Sequence, residues 1–357
     1  MAAVQKKRVV VVGGGVAGAN AAKALEDHAD VTLIDPKEYF EVPYAKLRCM
    51  VEPSFAEKSV FLHSEYLKKA KIIVSTVTGM TEEAVTTASG EQVWYDFLVI
   101  ACANPHTGPA TRAERLKQIE AENKKIKDAK TILIIGGGPA GVELAGEIIS
   151  DFPEKKVILL HSRARLHDIL GETASQKSLN WLKGKNVEVH FNERIDLSNI
   201  SEATTSFTTN SGKTIIADCH FLCIGQKLAS SWVKDSMFRD VVNERGQIKV
   251  DKSLRVEGTT NVFAAGDIIN VKELKQGNSA TMHALLIAEN IKKLSKNPNE
   301  SKLGTYKPIP NIATISLGRD TANTQLPFGT FCNRFFGMLI ARDLFVSRTR
   351  KGFGLKA

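Results

Sequence analysis

The chain has 357 residues, 43% of them hydrophobic and 24% charged, with a formal net charge of +9. That length allows two domains with real cores and a smaller third piece. No apolar stretch approaches the roughly 18 to 20 residues a membrane-spanning helix needs, and the basic residues are spread out without a nucleic-acid fold signature, so no nucleic-acid partner is expected.

The first element is the apolar run Val9-Val10-Val11-Val12. It is too short for a signal-peptide core and leads directly into glycines. Residue 2 is Ala2, so N-myristoylation is not expected. Gly13, Gly15 and Gly18 follow as G-x-G-x-x-G, then a helical pattern from Asn20 to Leu25 and a strand from Val31 to Asp35. A buried strand feeding such a turn brings backbone N–H groups and a helix N-terminus to a pyrophosphate. Asp35 stands 22 residues after Gly13, the spacing of a carboxylate that holds a ribose 2′-hydroxyl. A carboxylate that merely caps a loop is the plainer alternative.

Ser89 to Ile100 reads as a turn, a short strand, an aspartate and a buried strand returning to a parallel sheet. Ala113 to Lys130 reads as an exposed linking helix whose charges form a solvated face. The opening layout then returns 123 residues on: Thr131 to Ile135, then Gly136, Gly138 and Gly141, then Val157 to Leu160. At this second strand end His161 replaces the aspartate, with Ser162, Arg163 and Arg165 beside it. Without a carboxylate there, and with arginines near, the second site is predicted to accept NADPH as well as NADH. Solvated loop charges are the alternative for Arg163 and Arg165.

Ser211 to Leu222 repeats Ser89 to Ile100, so the repeat covers whole domains rather than solenoid units. Beyond Lys227 the pattern returns to the first domain, with strands expected at Gln247–Asp251 and Asn261–Asp267 and a helix from about Ala280 to Leu294. The Gly266-Asp267 strand end delivers one carboxylate to the carboxyl edge of the sheet. The five cysteines form no C-x-x-C and no metal-like cluster, which suits a reducing compartment and argues against a disulfide relay. Cys49 is the one conceivable redox thiol, and a packed free cysteine is its plainer reading. The tail interleaves Arg334, Arg342, Arg348, Arg350, Lys351 and Lys356 with Phe331, Phe335, Phe336, Met338, Leu339, Ile340, Leu344, Phe345 and Val346. It can lie on an anionic membrane surface or dock on the first domain.

Together these residues resemble the two-dinucleotide-binding-domain flavoproteins, and within them the apoptosis-inducing-factor-like group that includes the ferroptosis suppressor proteins. The most specific pieces are Gly136 to Glu143, Leu159 to Ser162, Leu254 to Gly258, Asn261 to Asp267 and Ala341 to Val346. Type II NADH dehydrogenases share the architecture, but His161-Ser162 and Arg342-Asp343-Leu344-Phe345 favour the first group. The fold expected is α/β, with two Rossmann-like dinucleotide-binding domains and a small C-terminal α+β region. The expected boundaries are 1–112 and 230–300 for the FAD domain, 113–229 for the NAD(P)H domain and 301–357 for the C-terminal region.

The resemblance implies non-covalent FAD at the first turn and NADH or NADPH at the second. Gly13, Gly15 and Gly18 would approach the FAD pyrophosphate, and Asp35 would hold the adenosine ribose. Arg48 would lie near the flavin, Val77 would back the adenine, and Asp267 would face the ribityl chain. Gly136, Gly138 and Gly141 would hold the NAD(P)H phosphates, with His161 and Arg163 toward its adenosine ribose. Glu143 matches a glutamate near the nicotinamide, an ordinary helix-face salt bridge being its alternative. His283 is a candidate proton donor or acceptor-site wall, although such a histidine more often packs and hydrogen-bonds. Ala101-Cys102-Ala103-Asn104 departs from the Ala-Thr-Gly-Ser of many relatives near the flavin.

The function expected is an FAD-dependent NAD(P)H:quinone oxidoreductase that reduces lipid-soluble quinones, ubiquinone-like or vitamin K-like, to hydroquinones that protect lipids from peroxidation. Its alternatives are a soluble monodehydroascorbate or electron-carrier reductase and a redox-sensing flavoprotein that acts as a binding module. A cytoplasmic location is expected, with peripheral contact to membranes or lipid droplets through the tail.

Overall fold

The structure, a computed structural model, describes residues 6–168, 170–225, 227–310, 312–333, 337–338 and 341–356. Arg334, Phe335, Phe336, Leu339 and Ile340 of the tail lie outside the described residues.

The β-branched run Arg8–Val12 forms a strand whose last four residues are buried. Such continuous apolar strands suit a parallel sheet covered on both faces. It sits centrally in a five-stranded sheet of order Val262–Ala264, Phe97–Ile100, Arg8–Val12, Asp30–Asp35, Lys71–Val74, with every pairing parallel. A second parallel sheet runs Glu188–His190, Lys156–Leu160, Thr131–Ile135, Cys219–Leu222. The register repeats as well. Val12 stands opposite Ile34 and Ile100, and Ile135 opposite Leu160 and Leu222. The fold is therefore α/β with the dinucleotide-binding layout built twice.

Both glycine turns are shaped by contacts that only glycine allows. Gly13 has φ +99° and Gly136 φ +121°, values that side chains rarely adopt. A Cβ on Gly18 would lie 1.8 Å from the Gly13 carbonyl oxygen, and one on Gly141 equally close to that of Gly136. These contacts press each helix onto its own turn and aim its N-terminus at the carboxyl edge of the sheet.

Two elements differ from the sequence reading. The linking helix spans Arg112–Asp128 and is docked rather than merely solvated: Arg115, Ile119, Asn123 and Ile126 form a buried stripe at helical spacing. Asn123 donates to the Met50 and Val51 carbonyls at 3.0 Å each, and Arg115 pairs with Glu41 at 2.8 Å. The expected strand Gln247–Asp251 is only a series of isolated bridges, because Ile248 meets Val242 and Ile269 while Val250 meets Val256. No single neighbour runs alongside it long enough to build a ladder.

The tail divides in two. Ala313–Leu317, Thr321–Leu326 and Gly329–Asn333 form an antiparallel sheet, whose Ala313, Ile315 and Leu317 join the core of the second unit. The last helix, Val346–Gly352, returns to the first unit. It places the buried Phe353 ring 4.4 Å from Tyr66 and 5.3 Å from Phe40. Among the described residues no helix is long and apolar enough to cross a membrane.

Candidate active site

Gly15 is the N-cap of the Val16–Leu25 helix, and no side chain caps it. A Cβ at Gly15 would meet nothing within 4 Å. The first N–H groups of this helix therefore face open space, with the positive end of the helix dipole behind them. That arrangement binds an anionic group. Asp35 is buried beside it and accepts the Gly14 N–H. Its other oxygen accepts from the Lys37 backbone N–H at 2.8 Å and Nζ at 3.2 Å.

Behind this carboxylate lies a residue that the sequence reading missed. His63 is fully buried, with Nδ1 2.7 Å from the Tyr66 hydroxyl and no hydrogen-bond partner for Nε2. Burial pushes its imidazole down to about 4, so it is neutral near pH 7. A Cβ at Gly14 would come within 2.6 Å of the His63 ring, so the ring requires glycine there. No motif marks a histidine 28 positions beyond Asp35; only the fold brings them together.

From this turn a cavity of about 1100 Å³ extends across the molecule. Gly13, Gly15, Asp35, Val77 and Asp267 of the first unit line it, as do Pro139, Ala140 and Glu143 of the second turn's helix. Cys102 and Trp232 also form part of its wall, as do Ala313, Thr314 and Ile315. The Gly277–Lys296 helix contributes a second N-terminus without a side-chain cap, where Gln276, Gly277 and Ala280 border the same space. Burial raises the Asp267 carboxyl above its ordinary value and pushes the Cys102 thiol up to about 11, leaving it protonated and unreactive near neutrality. Cys49 is likewise buried, with Sγ 3.2 Å from Ser59 Oγ and its thiol raised to about 11.

The second turn copies the first. Gly138 caps the Pro139–Asp151 helix without a side-chain bond, and a Cβ there would also meet nothing within 4 Å. Where Asp35 accepts from Gly14, His161 Nδ1 accepts the Gly137 N–H at 3.0 Å. Arg163 is paired with Asp168 at 2.9 Å. Glu143 accepts the Ser316 N–H at 3.1 Å, and burial pushes its carboxyl up to about 7, with Glu147 adding to the rise.

Gly18, Gly136, Gly138, Gly141, His161 and Arg163 are not among the residues that line this cavity, and neither are Arg48 and His283. Arg48 is buried in a bidentate pair with Glu147, at 2.6 and 2.9 Å, and donates to the Ala341 carbonyl at 3.0 Å. These contacts make it a strut joining the two units and the tail. His283 accepts the Gly266 N–H on Nδ1 at 3.2 Å. It has Nε2 3.1 Å from Glu273 and packs edge-on against Tyr306 at 4.3 Å. It is 1% exposed and does not line the cavity. His283 is packed and hydrogen-bonded because its helix turns that face inward.

The family model for pyridine nucleotide-disulphide oxidoreductases matches residues 7–284. The chain belongs to that family. Apoptosis-inducing factor homolog A of Dictyostelium discoideum is 33% identical over 98% of this chain and 92% of its own length. Human ferroptosis suppressor protein 1 is 30% identical over 96% and 95%. Among solved structures, NDH2 from Plasmodium falciparum in complex with NADH matches with a TM-score of 0.77 at 14% identity, covering 98% of this chain and 97% of that one. This family member is an FAD-dependent NAD(P)H oxidoreductase with the two-dinucleotide-domain fold. The uncapped helix ends and the bare faces of Gly15 and Gly138 suit two pyrophosphates, so the residues present fit both cofactors.

Proposed function

We propose that the protein is an NAD(P)H:quinone oxidoreductase that reduces lipid-soluble quinones to hydroquinones and so protects lipids from peroxidation. One observation carries this reading: a single cavity is lined both by the first glycine turn and by Pro139, Ala140 and Glu143 of the helix that follows the second turn, with Tyr44 and Ala313, Thr314 and Ile315 of the C-terminal sheet also on its wall. When bound, FAD accepts a hydride equivalent from NAD(P)H and passes two electrons onward. The chain's own part is to hold, orient and exclude water. Gly13, Gly15 and Gly18 shape the first pyrophosphate cradle, Asp35 holds a ribose, Val77 backs the adenine, and Asp267 closes the carboxyl edge. Gly136, Gly138 and Gly141 shape the second cradle. Glu143, with its carboxyl near 7, can hold or release a proton at the junction.

The similarity to ferroptosis suppressor proteins supports the quinone acceptor. The exposed Phe328, Phe331 and Met338 offer apolar contacts for a lipid surface. Anaerobic stopped-flow of flavin-loaded protein with NADH or NADPH, then a short-chain ubiquinone, tests the reading. Bleaching near 450 nm (roughly where oxidised flavin absorbs) followed by rapid recovery on quinone is expected. Bleaching without recovery keeps the reductase and removes the quinone.

A further inference from the structure

His283 stands behind the cavity wall rather than on it, with one ring nitrogen turned to each of two segments that do line the cavity. Nδ1 accepts the buried Gly266 N–H at 3.2 Å. Gly266 turns the chain at φ +79° and is followed by Asp267, which lines the cavity. The turn lies between the first glycine-turn helix and the Gly277–Lys296 helix, since a Cβ on Gly266 would sit 3.4 Å from Ala17 and 4.0 Å from Ala280. A nitrogen that accepts carries no proton, so the imidazole is neutral and its proton is on Nε2.

Nε2 lies 3.1 Å from Glu273 Oε1, and both side chains are 1% exposed. Glu273 is held from its other side, where Tyr306 Oη donates to Oε2 at 2.6 Å. The Tyr306 ring also packs edge-on against the imidazole at 4.3 Å. Glu273 belongs to the loop that puts Leu274, Lys275 and Gln276 on the cavity wall. Lys275 is pinned there as well, donating to the Ile269 and Val271 carbonyls at 2.9 and 3.0 Å. A buried N–H or carboxylate oxygen that loses its partner is costly, so removing the imidazole favours a shift of both segments.

We propose that His283 is a positioning residue for the flavin: its neutral imidazole fixes Asp267 and the 274–276 loop in one arrangement, and flavin affinity depends on that arrangement. The role needs no proton transfer and no contact with either cofactor. It rests on the reading that Asp267 faces the flavin.

The test is calorimetric titration of FAD into the flavin-free full chain, with circular dichroism confirming the fold of each variant. His283→Asn places an amide oxygen where Nδ1 stands and keeps an acceptor for Gly266. His283→Gln reaches toward Glu273 and leaves Gly266 without one. FAD affinity is expected to fall at least about tenfold in His283→Gln and to stay within about threefold in His283→Asn. A role in packing alone would reverse that order, because glutamine fills the space of the imidazole better. Equal affinities in the two variants, or a His283→Gln that binds FAD like the unaltered protein, overturn the proposal. Tyr306→Phe decides the matter if His283→Gln fails to fold: freeing Glu273 should weaken FAD binding several-fold, and an unaltered affinity overturns the proposal. If Asp267→Ala leaves FAD affinity unaltered, the reading of Asp267 as a flavin contact falls and takes the proposal with it. A weakened Asp267→Ala beside an unaltered His283→Gln removes the proposal alone.

Discussion

Glu143 shows how one residue's setting determines its chemistry. Its folded-state carboxyl titrates near 7, above the ordinary 4.5, chiefly because burial penalises the charged form. A raised carboxyl contributes its full stability below about pH 4.5 and loses it as pH rises through 7. Glu143→Gln should therefore match the unaltered protein at pH 4.5 and exceed it at pH 8 by on the order of 2 to 3 kcal/mol. Denaturant unfolding at the two pH values checks this. A difference independent of pH would mean that the carboxyl is already ionised at pH 4.5.

Gly15 gives a complementary residue-scale case. Its φ of −72° suits alanine, and a Cβ meets no protein atom within 4 Å. Gly15→Ala should leave the apoprotein's stability within about 0.5 kcal/mol. It should weaken flavin binding by about tenfold or more, because the methyl occupies the approach to the helix N–H groups. Denaturant unfolding of the apoprotein measures the first half of that statement, and flavin titration the second. Unaltered flavin affinity would remove the first turn as the pyrophosphate cradle.

At the scale of elements, the last helix acts through what it delivers. Phe353 is 2% exposed among Tyr66, Phe61 and Phe40, at 4.4, 6.1 and 5.3 Å. Phe353→Ala should cost about 3 to 5 kcal/mol of stability, the range for a buried aromatic. A loss below about 1 kcal/mol in denaturant unfolding would mean that the helix is not docked in solution. The docked helix also bears on function: trimming the chain after Gly329 removes Phe353 with the tail, so lost activity on membranes would not by itself report a lipid contact.

At the scale of the whole molecule, charged groups set the two dinucleotide units and the tail against each other. Arg48 and Glu147, each 3% exposed, form the buried link. Arg319, in the turn of the C-terminal sheet, pairs with Glu52 at 2.6 Å and with Asp151. Removing one partner of a buried pair strands the other charge, so Arg48→Met should destabilise by about 3 to 5 kcal/mol. Arg48→Met with Glu147→Leu should regain most of that loss, which a double-mutant cycle measures. If the double variant is as unstable as the single one, the cost lies in packing or the Ala341 contact rather than in the stranded charge.

What was legible along the chain was whatever is local. The valine run, the two glycine turns, Asp35 and the repeated layout each lie within about a dozen to two dozen positions, and periodicity and turn chemistry act over that range. Two parallel strands with a helix between them are dictated locally, so the α/β fold followed. The contacts that were not legible join residues far apart: Arg48 with Glu147 across 99 positions, Gly146 against Gly318, Asn123 with Met50. The direction of His283 was decided by which face of its helix meets the core. The engagement of Arg163 was decided by a loop that folds Asp168 back onto it. Local residue types set which groups are offered, whereas burial and distant partners set their charge and direction, and these exist only once the chain has closed on itself.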